Sequence, residues 1–449
     1  MDDSARTPGA SFTDLGLAPQ LISRLARQGI TTPFPIQAAT VPDAVAGRDV
    51  LGRGRTGSGK TLAFALPLVS RLADAPRARR RKPHGLILAP TRELASQIDA
   101  VLAPLAEAVG LLTTTVFGGV PASRQIRALD AGVDIVVACP GRLQDLINTG
   151  NADLSEVRVT VLDEADHMAD LGFLPVVRRL MDATPRSGQR LLFSATLDRG
   201  VDVLVKRYLR DPVLHEIDEE MSAPVAMSHH VLHVDRTRRL AVVADLVASP
   251  GKTVVFTRTK RGAKTLTRQL KSRGLTAVEL HGDLAQNART RNLEHFSSGR
   301  ADVLVATDIA ARGSHVDEVT LVVHADPPVE HKAYLHRSGR TARAGEFGVV
   351  VTMMVDDQAT AVHDLMRKAG IKPVTTRVGV DDEVLPMIGV HSGSTAPVLR
   401  RPAVDAATQA IVAPKPGRRT RGRSGRPAAA PSTARQHTAA GFSSGARGR

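Results

Sequence analysis

Short apolar runs alternate with longer helix-like stretches along most of this 449-residue chain. In the first half the runs are Gly85–Ala89, Thr113–Phe117, Asp134–Ala138, Val157–Leu162 and Arg190–Phe193. They are continuously apolar and rich in Val, Ile and Leu, with little apolar/polar alternation. That pattern predicts strands buried on both faces, hence a parallel sheet covered by helices. Ahead of them, Leu15, Leu17, Leu21, Ile22 and Leu25 recur at helical spacing within Phe12–Gly29, and Pro33 and Pro35 set up a helix start near Gln37. The pattern lapses near residues 211–230, where Asp218-Glu219-Glu220-Met221-Ser222-Ala223-Pro224 reads as a linker. It resumes with Val254–Phe256, Ala277–Leu280, Asp302–Ala306, Leu321–His324 and Val349–Met353. The chain is therefore expected to be an α/β protein of two tandem domains, 11–217 and 227–370, joined by a linker at 218–226. Residues 1–10 and 371–449 are expected to be disordered. The halves show no demonstrable sequence repeat.

Composition narrows the partner. Lys and Arg number 60 against 45 Asp and Glu, a net charge of +15. From Arg400 to Arg449 there are ten arginines and one lysine against one acid, Asp405, among Ala, Gly, Pro, Ser and Thr. Such a segment cannot bury a core, and its one-signed charge suits a polyanion held through its phosphates. Aromatics make up 3% and Trp is absent, so base-stacking platforms are not expected to dominate. The single cysteine, Cys139, excludes an intramolecular disulfide and a cysteine-cluster metal site. The acidic, polar start Met1-Asp2-Asp3-Ser4 does not read as a signal peptide, and no apolar run approaches the ~18 residues of a membrane span. A cytoplasmic protein is expected.

The candidate chemistry begins at Gly54-Arg55-Thr56-Gly57-Ser58-Gly59-Lys60-Thr61, a full match to the phosphate-loop pattern. Its glycines let backbone N–H groups cradle a phosphate chain, Lys60 reaches the terminal phosphates and the Thr61 hydroxyl suits magnesium. The apolar run Leu62–Leu66 predicts a helix whose positive end faces the same site. Asp163-Glu164 end a buried run, where one carboxylate can hold Mg²⁺ and the other can orient and deprotonate an attacking water. Read alone, such a pair is more often a solvated loop. In the second half His336-Arg337-Ser338-Gly339-Arg340-Thr341-Ala342-Arg343 spaces three arginines along one helix face. They suit either charge on a transferring phosphoryl group or a merely basic surface. Gln37 carries the donor and acceptor that match an adenine edge, or is a plain surface residue.

The order of these motifs resembles the DEAD-box RNA helicases of helicase superfamily 2, from Phe12 to about Met353. Pro33–Gln37 is similar to the family's Q motif, with Phe12 as its upstream aromatic. Gly54–Thr61 resembles motif I, and Asp163-Glu164-Ala165-Asp166 spells the name-giving tetrapeptide. Ser194-Ala195-Thr196 matches the motif linking hydrolysis to strand separation. Val254-Val255-Phe256, His281-Gly282-Asp283 with Gln286 and Arg289, Ala306-Thr307-Asp308 to Arg312-Gly313, and His336–Arg343 follow in the family's order. The compact core and arginine-rich tail look most like the bacterial RhlE-type branch.

The resemblance implies two RecA-like domains and an RNA-dependent ATPase that opens short RNA duplexes locally or remodels RNA–protein complexes. ATP and Mg²⁺ would be held by Phe12, Gln37, Arg55, Thr56, Gly57, Ser58, Gly59, Lys60, Thr61 and Asp163. Glu164 would activate water, and Arg340 and Arg343 would be the fingers on the γ-phosphate. Ser194, Thr196, Asp308, His336 and Arg337 would couple the halves. The RNA backbone would lie on Arg92, Gly119, Arg142, Arg289 and Thr307, largely without regard to sequence. Two departures stand out. Cys139 replaces the usual threonine before Pro140-Gly141-Arg142, and Ser314-His315 replaces the usual Leu-Asp after Arg312-Gly313. The second puts the ribose contact in doubt and keeps open a competing reading, an ATP-dependent RNA clamp or annealing chaperone with weak hydrolysis. Ribosome assembly, mRNA decay and cold adaptation all stay open, and with them ribosomal or RNA-decay proteins as partners.

Overall fold

The computed structural model describes residues 11–54, 57–197, 199–216, 227–311, 318–342, 347–379, 382 and 388. The expected linker, the residues before 11 and the arginine-rich tail lie outside the described residues.

The first half holds β1 (Val50–Arg53), β2 (Gly85–Leu88), β3 (Thr113–Val116), β4 (Ile135–Ala138), β5 (Val159–Asp163), β6 (Gln189–Ser194) and β7 (Val213–Glu216). The second holds β8 (Met227–His233), β9 (Lys252–Phe256), β10 (Ala277–Leu280), β11 (Val303–Ala306), β12 (Val319–His324), β13 (Gly348–Met354) and β14 (Val374–Arg377). Each half forms a seven-stranded sheet, ordered β3-β4-β2-β5-β6-β1-β7 and β10-β11-β9-β12-β13-β8-β14. The described pairings within both sheets are parallel. Advancing each strand number of the first sheet by seven gives the second. The two halves repeat one topology although their sequences show no repeat.

The bare apolar runs are explained by the core. Along β2, Leu86 and Leu88 point into one cluster with Val136, Leu162 and Leu192, while Ile87 joins Val137, Val161 and Phe193 in another. A strand with both faces buried has no polar face to alternate with. The second sheet splits the same way, Val255, Val303 and Val323 on one side and Val254, Leu304 and Val322 on the other.

Four strands escaped the sequence pattern. The edge strand β7 alternates half-buried and exposed positions, and the edge strand β14 is mostly exposed, so neither needs a continuous apolar run. Strand β1 is four residues with a Gly inside and an Arg at its end, and β8 carries His229, His230 and His233. The second domain therefore continues past residue 370: β14 pairs with β8, and Val378 and Ile388 are buried against its core. The lapse near 211–230 also contains β7 and the start of β8.

All strands of a parallel sheet end on one edge, so the loops after β1, β2, β3, β5 and β6 gather there. The candidate residues Gly54–Thr61, Thr91–Glu93, Gly118-Gly119, Asp163–Asp166 and Ser194–Thr196 follow those strands.

Candidate active site

The phosphate loop leaves β1 and enters the helix Lys60–Leu72. Gly59 caps that helix in the left-handed region, φ 86°, and a Cβ there would come within 2.5 Å of Gln37 Nε2. Glycine is required on both counts. Lys60 is buried and its Nζ donates to the Gly54 carbonyl at 2.7 Å, drawing the loop across itself. The Gly54 N–H in turn donates to the Ser194 carbonyl at 3.2 Å, which ties the loop to the end of β6. Thr61 is half-buried in the first turn of the helix. Arg55 and Thr56 lie outside the described residues.

Gln37 is 1% exposed, a structural buttress rather than a surface residue. Its Oε1 accepts from the Phe34 N–H at 3.0 Å and its Nε2 donates to the Gly59 carbonyl at 2.9 Å. The same amide retains a second N–H and a second lone pair, the complement of an adenine edge. Phe12, expected beside the nucleotide, is 2% exposed. Its ring is buried in the core cluster with Leu21, Ile36 and Val41, where burial of a large apolar surface draws it.

Asp163 is the last residue of β5, and Glu164 follows in the left-handed region, φ 50° and ψ 52°, capping the helix Ala165–Asp170. A non-glycine residue there is strained backbone of the kind that functional sites retain. The Asp163 carboxylate accepts its neighbour's N–H at 3.0 Å. Burial pushes the Asp163 carboxyl up to about 7, against the pull of Lys60 and with added repulsion from Glu164. Burial also pushes Glu164 up. The hydrogen bond and charge of His167, with the charges of Arg340 and Lys60, overcome that and hold it at about 2.

Asp166 turns the other way. Its Oδ2 accepts from the backbone N–H and the hydroxyl of Thr196, at 3.0 and 2.9 Å. Its own N–H donates to Ser194 Oγ at 3.3 Å, and that hydroxyl donates to the Thr196 carbonyl at 2.8 Å. Ser194 and Thr196 thus hold the acidic loop through its fourth residue.

From the second half, Arg337 is buried and donates through Nη2 to Asp308 Oδ2 at 2.7 Å and through Nη1 to the Asp326 carbonyl at 2.8 Å. Its guanidinium lies 5.1 Å from the centre of the Phe256 ring. These contacts fix the helix His331–Ser338, so that His336 and Arg340 line one cavity together with Lys60, Glu164, Asp166, His167 and Ala195 of the first half. Arg343, Ser314 and His315 lie outside the described residues.

The residues expected on RNA fall into two groups. Arg92, Gly119 and Arg142 converge. Gly119 has φ 79° and a Cβ there would collide with Arg92 Nη1, while Arg142 donates to the Val120 carbonyl at 3.2 Å from the helix Pro140–Asn148. Thr307, after β11, is half-buried and its N–H donates to the Leu280 carbonyl. Arg289 is different. It is buried, and its Nε donates to Glu93 Oε1 at 2.8 Å. Gln286 bridges the same carboxylate at 3.2 Å and accepts from Arg92 at 3.0 Å. Arg289 is a clasp between the helices Arg92–Ala108 and Gln286–Ser297 in this structure, and a phosphate could reach it only by displacing Glu93.

Glu93 and His167 were not singled out by the sequence, and Gln286 was named only as part of a motif with Arg289. The spacing of three between Gln286 and Arg289 and between Glu164 and His167 was available, but spacing does not show which neighbour each side chain takes. The basic run Arg79-Arg80-Arg81-Lys82 meets its own carboxylates. Glu156, Asp130 and Asp153 pair with it at the opposite, strand-start edge of the first sheet.

Among the described residues no group of three or more His, Cys, Asp or Glu forms a protein-only metal cage. Mg²⁺ bound to a nucleotide needs only one or two protein oxygens. The buried Asp163 carboxyl, disfavoured as an anion without a cation beside it, and the Thr61 hydroxyl fit that donor set. No helix among the described residues is long and apolar enough to cross a membrane.

Residues 34–204 match the family DEAD/DEAH box helicase, and residues 236–345 match Helicase conserved C-terminal domain. The chain is similar to DEAD-box ATP-dependent RNA helicase 53 of Oryza sativa subsp. japonica, 40% identical over 85% of this chain and 64% of the relative. It is also similar to DEAD-box ATP-dependent RNA helicase 9, mitochondrial, of Arabidopsis thaliana, 38% identical over 86% of this chain and 63% of the relative. The chain thus spans just under two thirds of the length of these curated relatives. Among solved structures, S. cerevisiae Dbp5 bound to RNA and ADP BeF3 superposes with TM-score 0.75 at 28% identity, over 84% of this chain and 98% of that one.

Proposed function

Because the chain belongs to the DEAD-box family of superfamily 2 helicases, we propose that it is an ATP-dependent RNA helicase that opens short RNA duplexes locally or remodels RNA–protein complexes. RNA would stimulate its hydrolysis of ATP to ADP and phosphate. One observation carries the reading: Lys60 and Glu164 from the first sheet line one cavity with His336 and Arg340 from the second. A hydrolysis site built from both halves is complete only when they are together, which couples each turnover to opening and closing of the cleft.

Within that cavity Lys60 neutralises the terminal phosphates once it leaves the Gly54 carbonyl. Glu164, ionised throughout the neutral range, accepts a hydrogen bond from the attacking water and aims it. Arg340 faces the charge that develops on the transferring phosphoryl group. Thr61 and Asp163 would hold Mg²⁺, which supplies charge neutralisation between the phosphates when bound. Asp166, held by Ser194 and Thr196, passes a shift of the acidic loop to β6. Gln37 would offer its remaining donor and acceptor to adenine. Arg92, Gly119, Arg142 and Thr307 support a backbone-only RNA path, and the arginine-rich tail adds charge to it.

The finer points belong to the same proposal. They are a cytoplasmic location, ribosomal or RNA-decay partners, and a place in the bacterial RhlE-type branch, the last supported only by the compact core and the tail's composition.

The test is phosphate release with and without RNA at saturating ATP. RNA should raise the rate, and Glu164→Gln should bind ATP and RNA while hydrolysing at least a hundredfold more slowly. An RNA-independent rate would favour the clamp reading. Normal turnover by Glu164→Gln would remove its assigned role.

A further inference from the structure

We propose that His167 is a positioning residue for hydrolysis: it holds one oxygen of the Glu164 carboxylate and leaves the other for the attacking water. The inference rests on the proposed ATPase reading and deepens it.

His167 sits three residues after Glu164 on the helix Ala165–Asp170, the spacing that stacks side chains on one helical face. Its Nδ1 is 3.0 Å from Glu164 Oε2. A carboxylate can only accept, so Nδ1 carries the proton in this pair. The imidazole is 2% exposed, and its Nε2 is buried without a hydrogen-bond partner. The hydrogen bond to Glu164 is thus the ring's polar contact within the described residues.

Glu164 needs holding. Its backbone is in the left-handed region, and cations lie on two sides, Lys60 from the phosphate loop and Arg340 from the second half. Either could draw the carboxylate out of line. Lys60 is committed to the Gly54 carbonyl at 2.7 Å, and Asp166 is committed to Thr196. Among the described residues the Glu164 carboxylate takes a side-chain hydrogen bond from His167. A base or water-orienting group loses rate steeply when misplaced, because alignment of the reacting atoms is most of what it contributes. The position after Asp163–Asp166 therefore does work that the acidic motif itself does not specify.

Three substitutions separate the two ring nitrogens. His167→Asn places an N–H donor near the Nδ1 position and drops Nε2. His167→Gln reaches toward the Nε2 position, and His167→Leu removes both. Each is measured for RNA-stimulated phosphate release across ATP concentrations, with thermal unfolding as the folding control, and His167→Leu is combined with Glu164→Gln.

His167→Leu and His167→Gln should lose at least tenfold in kcat with KM for ATP within about twofold, and His167→Asn should recover to within about threefold of the parent. On Glu164→Gln, adding His167→Leu should cost almost nothing, because the group it positions is already gone. The proposal falls if His167→Leu keeps kcat within twofold, if His167→Asn is as impaired as His167→Leu, or if the losses multiply in the double variant. Should His167→Leu fail to fold, the Asn and Gln variants decide alone. A parent enzyme that RNA does not stimulate, or a Glu164→Gln variant that turns over normally, overturns the ATPase reading itself and is seen before any His167 variant is scored.

Discussion

Removing the Arg289 guanidinium should unlatch the two halves. The pair Arg289–Glu93 is nearly dry, with side chains 10% and 5% exposed, and it spans elements 196 residues apart in sequence. Arg289→Met keeps the length and apolar stem but leaves the Glu93 carboxylate with the neutral Gln286 amide and without its cation. In a fixed structure, losing one partner of a buried pair costs about 3–5 kcal/mol. This structure has an escape that a domain core lacks: if the halves part, water reaches Glu93. The penalty therefore falls on the closed arrangement, not on either sheet. At the lower end, ~3 kcal/mol shifts the open-to-closed ratio about a hundredfold. Fluorophores on Ala131→Cys and Lys271→Cys, both exposed at helix ends, report the distance between the halves. Cys139 need not be removed, because burial pushes its thiol up to about 12 and leaves it little reactive thiolate. Transfer efficiency with ATP analogue and RNA should fall to the level seen without them, and the thermal unfolding midpoint should stay within a few degrees. Arg289→Met combined with Glu93→Gln should regain much of the closure, since no buried charge is then left alone. A single Arg289→Met variant that closes at the same ligand concentrations as the parent would refute the clasp.

Cys139 caps the helix Pro140–Asn148 with extended backbone but no side-chain hydrogen bond. Cys139→Thr supplies the missing cap and should add about 1 kcal/mol in urea unfolding; no gain would mean the added methyl does not fit beside the core it packs against. Removing residues 400–449 deletes +10 of the chain's charge of +15. It should flatten the salt dependence of RNA affinity, and an unchanged slope would make the tail a bystander. Acid should weaken the second domain first. Burial lowers His229 to about 4 and takes His324 well below its usual 6.5, so both are neutral in the fold while the unfolded chain protonates near 6.5. Their contribution is full above pH 6.5 and is lost as pH falls through it, for His229 down to about 4. For His229 alone this is roughly 2 kcal/mol after allowance for its partial exposure. His229→Gln, which can still bond the Tyr334 hydroxyl, should flatten the fall in unfolding midpoint between pH 6.5 and 4, and an equal slope would absolve the histidine.

What the chain's pattern revealed and what it hid divide along one physical line. Strands buried on both faces must be apolar throughout, so β2, β4, β5, β9, β11 and β12 announce themselves. The edge strands β7 and β14 bury little and leave no such mark, and a run of histidines disguises β8. The phosphate loop is legible for the same kind of reason: curling backbone N–H groups around phosphate demands glycine at Gly59, whatever the rest of the chain does. Requirements of that sort act on one residue at a time, and a sequence records them directly. Pairing is a relation between residues, and the sequence does not record it. Nothing local distinguishes Arg289, buried on Glu93, from Arg142, which reaches a loop carbonyl, or from Arg80, neutralised by Asp130 on the far edge of the sheet. All three are arginines in polar company. Which of them is free to meet a phosphate depends on whether a carboxylate arrives from an element 196 residues away or 50, and that is settled only when the sheets have formed and packed. The same holds for His167. Its chemistry is visible in the letters after Asp163–Asp166, but its meaning comes from the left-handed turn at Glu164, which brings a carboxylate oxygen to 3.0 Å of one ring nitrogen and leaves the other with no partner.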